Sequence, residues 1–483
     1  TGSPSSFIAK FNSNGVRQWA TYFGGDVYDN LLDMNIDLSG NILIVGYSGS
    51  NTGMATAGAH QTVKDGSEDG FIAKFNSAGA LSWATYFGGE DLDLVSSCSF
   101  DGSGNIYIGG RSQSTTKIAS AGALKTTNGV GQQAGFVAKL NSSGVKQWAT
   151  YIGGVPTTSS QDIVALTTNT AGDIFVTGFG GANISAFITP GVHQTTGKGS
   201  TEAFLLKLSS SGTLAWGTYF GGNYIDYPSG IALDKNGNIY LSGTTKSDSL
   251  VGSAGAFQTK LNGSEYDAFL AKFTGTGTRL WSTYFGGTGR ETSAKVVLDS
   301  NNDPIITGGT YSSNLVSNNS AKGLEDGYMV KFNSNGVKQW SEYIGGAQDD
   351  EIWNGCIDKN NNIYICGETK STQGIATAGS HKSVYNSMSP IGFLIKYNSQ
   401  TNSGIEDLKN NSLSMFPNPT ADYLICEVEN TKILEIILYD LNGKKCFELN
   451  NINESKVSIN IQHLDRSVYI TKIITTEGTI ERK

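Results

Sequence analysis

Six tryptophans, Trp19, Trp83, Trp148, Trp216, Trp281 and Trp340, recur every 59 to 68 residues, and each opens a version of W-x-x-Y-[FI]-G-G. A period of this size means that one small supersecondary unit is arrayed many times along the chain. Three further segments keep register with it. FIAKF at 7 and 71 returns as FVAKL at 136, FLLKL at 204, FLAKF at 269, YMVKF at 328 and FLIKY at 393. NILIVG at 41 returns as NIYIGG (105), DIFVTG (173), NIYLSG (238), DPIITG (303) and NIYICG (362). A short apolar run ending in a polar turn, such as GIALDKNGN at 230–238, precedes each of these. Asn236-Gly237 is a strong hairpin signal, because both central residues of such a turn need positive φ.

Four short strands per repeat, arrayed around an axis, predict an all-β fold, a β-propeller of four-stranded blades. The run GIALD, NIYLSG, FLAKF, LWSTYFGG then reads from the innermost strand to the outermost. Strands of the four kinds number six, six, seven and six, which gives 25 in all. Seven blades are favoured, with three strands just upstream of Thr1; six are the alternative and leave residues 7–11 without a place. The open side of such a ring needs cover from an upstream segment or a partner.

Composition agrees. Gly is 62 of 483 residues, nearly double its usual share, and charged residues are only 16%. The net charge of -8 excludes nucleic acid as a partner, because phosphate binding needs clustered Lys and Arg. No apolar run approaches the roughly 18 residues of a transmembrane helix. The opening TGSPSS is no leader, so a signal peptide is expected to lie upstream or to have been removed. Cys98, Cys356, Cys366, Cys426 and Cys446 show no metal-ligand spacing and read as buried free thiols, with Cys356 and Cys366 diagonal on one hairpin.

The pattern changes after Tyr397. Residues 398–414 are polar and unpatterned, a linker. Residues 415–483 carry strand-like runs at 423–429, 433–440, 444–449, 456–461 and 468–476, which predict a small Ig-like antiparallel sandwich. Pro417 and Pro419 cannot donate to a ladder, so FPNP should be an extended lead-in at a sheet edge. Asp440 to Lys444 should form a tight hairpin.

Two resemblances follow from these residues. The pieces D-x-x-G-N-I-Y-[IVL]-x-G, F-x-x-K-[FL] and W-x-T-Y-[FIL]-G-G make 1–397 similar to the SBBP β-propeller repeat family. The pieces MFPNPTADYL (415–424), LYDLNGKK (438–445) and SINIQHLDRSVYITKI (458–473) make 415–483 similar to the type A C-terminal sorting domain of the type IX secretion system of Bacteroidota. In place of the small residue and glycine of that family, Arg466, Ser467 and Val468 precede Tyr469. The second resemblance implies passage through the periplasm and outer membrane to the cell surface or medium. It implies the translocon and a shuttle protein as partners, and Pro417, Asn418, Pro419, Asp440, Gly443 and Tyr469 as the export signal.

A chemical site is harder to find. An acid follows each double glycine: Asp29, Asp93, Asp226, Glu291 and Asp350, with Asp162 displaced by the insertion 154–162. These carboxylates would form a ring at a channel mouth. The ring could hold Ca²⁺ or a basic ligand, but recurrence in every blade favours turn capping and blade-to-blade locking. The double glycine itself reads as a point of backbone freedom. The acids of the D-x-x-G-N loops (Asp37, Asp101, Asp234, Asp299, Asp358) need no metal. His60, His193 and His381 share a repeat position with Leu124 and Phe257, a packing position; His463 lies apart. The lysines of the F-x-x-K strands read as packed stems with amines in solvent, and the tryptophans as filling between blades. No nucleophile, metal or phosphate motif is present. We therefore expect no catalytic residues, no metal and no cofactor, and a binding or adhesion module for an extracellular protein or glycan. A polysaccharide-active enzyme with a site at the channel mouth and a structural surface-layer component are the alternatives.

Overall fold

The structure, a computed structural model, describes residues 6–153, 161–315, 317–377, 380–385, 389–397, 414–416, 422–428, 431–440, 444–462, 464, 469–476 and 478–482. It divides into two compact units, Thr1–Tyr397 and Asn398–Lys483. The expected linker lies almost wholly outside the described residues.

In the first unit, Asp29–Ile36, Ile42–Ser48, Asp69–Phe75 and Leu81–Phe87 form one antiparallel sheet in chain order. Four more sheets of the same order span 93–152, 162–220, 226–285 and 291–344. First strands of successive sheets lie against one another, so they line the centre and the Trp strands lie outside. Each first strand carries a register shift, as between Val95 and Ser97 or Ile352 and Asn354, and such bulges sharpen the strand twist. The unit is an all-β propeller.

Two further sheets are incomplete among the described residues. Ser6–Phe11 pairs only with Arg17–Phe23, and Asp350–Ile357, Ile363–Thr369 and Ile391–Tyr397 form a sheet of three. They are neighbours: Lys396 Nζ donates to the Ser13 carbonyl at 3.4 Å, and the rings of Phe11 and His381 meet at 5.7 Å. These are the contacts that join complete sheets, where Lys272 reaches Ser334 O and Phe257 meets Phe332. Positions facing the unfilled strands are open. Phe7 is 67% exposed where its counterpart Phe71 is 1%, and Tyr22 is 82% exposed where Tyr86 is 1%. Cys356 and Cys366 lie on this open side and are exposed, which corrects their reading as buried thiols; Cys98 and Cys426 are buried. Cys366 pairs with Asn354 and Cys356 with Tyr364, a diagonal placement, and both thiols are free.

Blade stacking rests on one aromatic contact. The turn before each Trp strand ends in a glycine at positive φ, and at Gly79, Gly144, Gly212, Gly277 and Gly336 the indole of the preceding blade lies against it. A Cβ at Gly79 would stand 2.9 Å from Trp19, and one at Gly144 would stand 2.8 Å from Trp83. Trp148 Nε1 completes the contact by donating to Ser210 O at 3.0 Å. Gly15, on the two-stranded sheet, has nothing within 4 Å.

The lysines correct the sequence reading. Their amines are tied down, Lys74 to Asp37 at 3.0 Å, Lys207 to Asp173 at 2.9 Å and Lys331 to Asp299 at 2.7 Å. Lys10 and Lys139 reach carbonyls of the next sheet, Ser77 O and Ser210 O. The strand register sets Lys74, Lys207, Lys272 and Lys331 beside the hairpin of their own blade, where a largely buried amine needs a partner. Asp37 in turn accepts from the amides of Ser39 and Asn41, which holds the hairpin tight.

In the second unit, Ser414–Phe416, Tyr423–Glu427 and Lys456–Asn460 form one sheet. Lys445–Leu449, Ile433–Tyr439, Ile470–Thr475 and Gly478–Arg482 form the other. Leu424, Cys426, Ile436, Leu438, Ile459 and Ile473 make the core of this sandwich. Cys426 and Cys446 sit in different sheets and are free.

The turn glycines separate two effects. Gly104 sits at φ +78 with open space around it, so Gly104→Ala should cost about 1 kcal/mol of conformational strain. Gly144→Ala adds a collision with Trp83 and should cost at least about 1 kcal/mol more. Urea midpoints of the two variants measure the difference.

Candidate functional site: the acids at the blade crossings

Five of the six acids that follow the double glycines are buried; Asp162 is partly exposed and lies 3.6 Å from the Arg111 guanidinium. Asp29, Asp93, Asp226, Glu291 and Asp350 are buried at the start of the innermost strands. Each Asp works locally. Asp226 accepts from Gly222 N at 2.9 Å, from Thr245 Oγ1 at 2.5 Å and from Ser247 Oγ at 3.0 Å. Asp93 accepts from Gly89 N and Ser114 Oγ, both at 2.7 Å, and Asp350 accepts from Gly346 N and Ser371 Oγ, also at 2.7 Å. Asp29 repeats the pattern with Gly25 N, Ser48 and Ser50. The serine or threonine comes from the end of the second strand, so one carboxylate ties a crossing to the blade it enters. The backbone adds a latch, with Asp93 N donating to Glu68 O and Glu291 N to Tyr266 O.

This geometry revises the role of the glycines. At Gly24–Gly25, Gly88–Gly89, Gly286–Gly287 and Gly345–Gly346 neither φ is in the left-handed region. They are glycines because a side chain has no room. A Cβ at Gly88 would lie 2.5 Å from Asp69 Cγ, and one at Gly222 would lie 2.1 Å from Ser249 O. Close approach of carboxylate and carbonyl, not backbone freedom, sets the requirement. Gly153, before the insertion, is the exception at φ +84.

Sequence reasoning missed a second set of acids. Asp69, Glu202, Asp267 and Asp326 open the third strands, buried, each accepting from the loop before it, as Asp326 does from Lys322 N and Gly323 N. Their alignment two residues ahead of F-x-x-K was visible, but Ser5, Ala134 and Ile391 stand at the same position and hid it. Burial raises the pKa of Asp69, Glu202 and Asp326, and that of Asp93 to about 6. Asp162 is pushed to about 7 by burial, against the pull of the Arg111 guanidinium 3.6 Å away.

The histidines pack. His193 lies between Phe220 and Phe273, and burial lowers its pKa to about 4; Phe257 fills the same place one blade on. His463, Pro417, Asn418, Pro419 and Gly443 lie outside the described residues. Asp440 closes its hairpin, with its amide on Lys444 O and its Oδ1 receiving Lys444 N, both at 2.9 Å. Tyr469 immediately precedes the central strand Ile470–Thr475 and is half-buried. Among the described residues no group of three or more His, Cys, Asp or Glu side chains is arranged for a metal ion, and no helix is long and apolar enough to cross a membrane.

Comparison with known proteins fits this architecture. Residues 215–250 match the SBBP family, a beta-propeller repeat, and residues 414–483 match the secretion system C-terminal sorting domain. Fold and sorting domain together define a secreted β-propeller. The chain carries SBBP-type repeats and a sorting domain of the kind that marks proteins exported by type IX secretion to the cell surface or extracellular space. An uncharacterized WD repeat-containing protein of Acanthamoeba polyphaga mimivirus is 24% identical over 82% of this chain and 34% of its own length. A regulatory protein, FlaEY, of Caulobacter vibrioides is 24% identical over 58% and 29%. The chain thus spans about a third of the length of the curated relatives it matches. Among solved structures, a Dyadobacter fermentans protein of unknown function aligns at 12% identity and TM-score 0.36, over 73% of this chain and 92% of that one. The Neurospora crassa Pan2 WD40 domain aligns at 10% identity and TM-score 0.34, over 70% and 86%.

Deleting one latch should be costly. Asp226→Ala strands the Gly222 amide and two hydroxyls in a buried site, and should lower stability by about 2 to 4 kcal/mol. Asp226→Asn keeps acceptor capacity and should lose less, as urea unfolding followed by tryptophan fluorescence will read.

Proposed function

We propose that the propeller is a binding module for an extracellular protein or glycan, and that its recognition surface is the rim formed by residues next to the buried acids. One observation carries this reading. At each crossing the acid is nearly constant, while the residues beside it change from blade to blade, from aliphatic or glycine in some blades to polar or aromatic in others. Just before the first-strand acid stand Tyr28, Leu92, Gln161, Ile225, Arg290 and Asp349. Just after the second strand stand Gly49, Gln113, Gly181, Lys246, Tyr311 and Lys370. These positions pair through the backbone, Tyr311 N with Arg290 O and Lys370 N with Asp349 O, which puts them at one level.

The rim is chemically mixed. Tyr311 is half exposed and donates to Glu325 Oε2 at 2.7 Å. Lys370 meets Asp349 at 3.0 Å, and Lys246 and Arg290 both stand over the Tyr266 ring. Repeats with an invariant inside and a varied rim support specific recognition: the constant part maintains the scaffold, and the variable part discriminates partners. Tyrosine, arginine and lysine with acids nearby suit a polar ligand. The sandwich at 414–483 supports docking on shuttle and translocon by its strand edges.

Two measurements test this. Tyr311→Ala combined with Lys370→Ala should lose tenfold or more in capture on an array of polysaccharides and surface proteins, with an unchanged melting temperature. Turnover of any arrayed polymer overturns the binding reading in favour of an enzyme. Removal of 414–483 should leave a folded propeller in the periplasm; normal export of the truncated chain overturns the cargo assignment.

A further inference from the structure

The two sets of acids meet. A Cβ at Gly221 would lie 2.2 Å from Asp226 Oδ2 and 2.7 Å from Glu202 Oε2, and one at Gly345 would lie 1.9 Å from Asp326 Oδ1 and 3.0 Å from Asp350 Oδ2. The sharpest case is Gly286. Asp267 Oδ1 and Glu291 Oε2 lie 2.3 and 2.4 Å from the same point, so they are no more than about 4.7 Å apart. Neither residue has measurable solvent exposure, and these two oxygens have no hydrogen-bond partner among the described residues. Their other oxygens are occupied. Asp267 Oδ2 accepts from Gln258 Nε2 at 2.6 Å and Asn262 N at 2.9 Å, and Glu291 Oε1 accepts from Thr310 Oγ1 at 2.7 Å.

Two bare carboxylates cannot both keep full charge at this separation in a dry site. Among the described residues no cation lies within ion-pair distance of either acid. The Arg290 guanidinium turns to the Tyr266 ring, and the titratable side chains near the pair are the phenols of Tyr284, Tyr328 and Tyr343. Calcium would need six to eight oxygens; the pair offers two, and N–H and O–H donors hold the remainder. The crossing at Asp162 is an internal control. There Ala134 stands where Asp267 does, and the missing acid is matched by a cation, Arg111.

We propose that Asp267 and Glu291 share one proton, so that a carboxylic acid–carboxylate hydrogen bond clamps the 226–285 and 291–344 blades together and loosens as the medium becomes alkaline. Asp267 is the donor and Glu291 the acceptor, because Thr310, Ser312 and the Gly287 amide all stabilise the charged form of Glu291. Burial and mutual repulsion raise the pKa of Asp267, and burial raises that of Glu291. Acids raised above their unfolded values of about 4 stabilise the fold fully below that pH, and this contribution is lost as pH rises through the folded values. At the other crossings the facing oxygens are already taken, Asp226 Oδ2 by Gly222 N and Ser247 Oγ and Asp350 Oδ2 by Gly346 N and Ser371 Oγ, which singles out the pair at Gly286.

The test uses the full chain, in wild type and Asp267→Asn, which keeps a donor at the same place but has no proton to lose. Infrared spectra in heavy water at neutral pH should show a buried carboxylic acid band in wild type that weakens in D267N. Melting temperatures from about pH 5 to about pH 9 should fall in wild type, and D267N should flatten that slope by about one proton. An acid band and slope that are the same in both proteins overturn the proposal. So does a rise in melting temperature with CaCl₂ in wild type that is absent in D267N, which would place a cation between the acids. If D267N does not fold, the wild-type band alone decides. Its disappearance on raising pH supports the shared proton, and its absence at neutral pH overturns it.

Discussion

Everything in the propeller depends on how the chain gets from the outer strand of one blade to the inner strand of the next without opening a gap. The solution is a carboxylate placed four residues beyond the second glycine. It takes the amide of that glycine and the hydroxyl groups at the end of the second strand, so the crossing and the blade core are one hydrogen-bonded body. The cost of burying a charge is met by two or three donors per acid. Because buried carboxylates crowd the first glycine and an oxygen and a serine from the end of the second strand crowd the second, the crossing must be glycine. The two most conspicuous repeat features, W-x-x-Y-[FI]-G-G and the acid, are thus one constraint seen twice.

The outer rim of the blade uses a different force. There the indole of one blade lies on the turn glycine of the next, and the lysine of the third strand reaches a turn carbonyl beside it. Aromatic packing at the circumference and carboxylate latches near the axis hold each pair of blades at two radii, which resists both sliding and opening. The two-stranded and three-stranded sheets show what happens where such a pair is incomplete. The same Phe and Tyr positions that are sealed elsewhere stand in solvent, and Gly15 has no indole to meet.

The period of the tryptophans was enough to read strand number, order and the all-β class, because a blade buries its own apolar faces and each strand carries a full pattern. The sandwich after Tyr397 was legible as a class from alternation and turns, with five of its seven described strands read and Ser414–Phe416 and Gly478–Arg482 missed. Three things were not. The lysines looked like solvent-reaching stems because a single strand does not reveal the hairpin of its own blade beside it. The glycines looked like flexible joints because sequence does not distinguish positive φ from close approach. The third-strand acids were overlooked because their partners lie some 24 residues away, across the crossing, and a period-based reading compares equivalent positions rather than neighbours in space.

The acids of the expected ring act on their own crossings, in keeping with the turn-capping role that their recurrence favoured, and this bears on the proposed recognition surface. A carboxylate that serves the backbone blade after blade is committed to the scaffold, and the burial of Asp29, Asp93, Asp226, Glu291 and Asp350 keeps a substrate away from them. Residues one step along the chain escape both limits. They share the end of the sheets with the acids, they need not be the same in any two blades, and several keep an amine, a guanidinium or a phenol half in water. Variation between repeats is therefore informative in the opposite sense to repetition. Repetition marks what the ring needs in order to exist, and the departures from it mark the surface free to take on a partner. On the proposed reading, Arg290, Tyr311 and Lys370 could change with the partner while Glu291 and its latch stay in place.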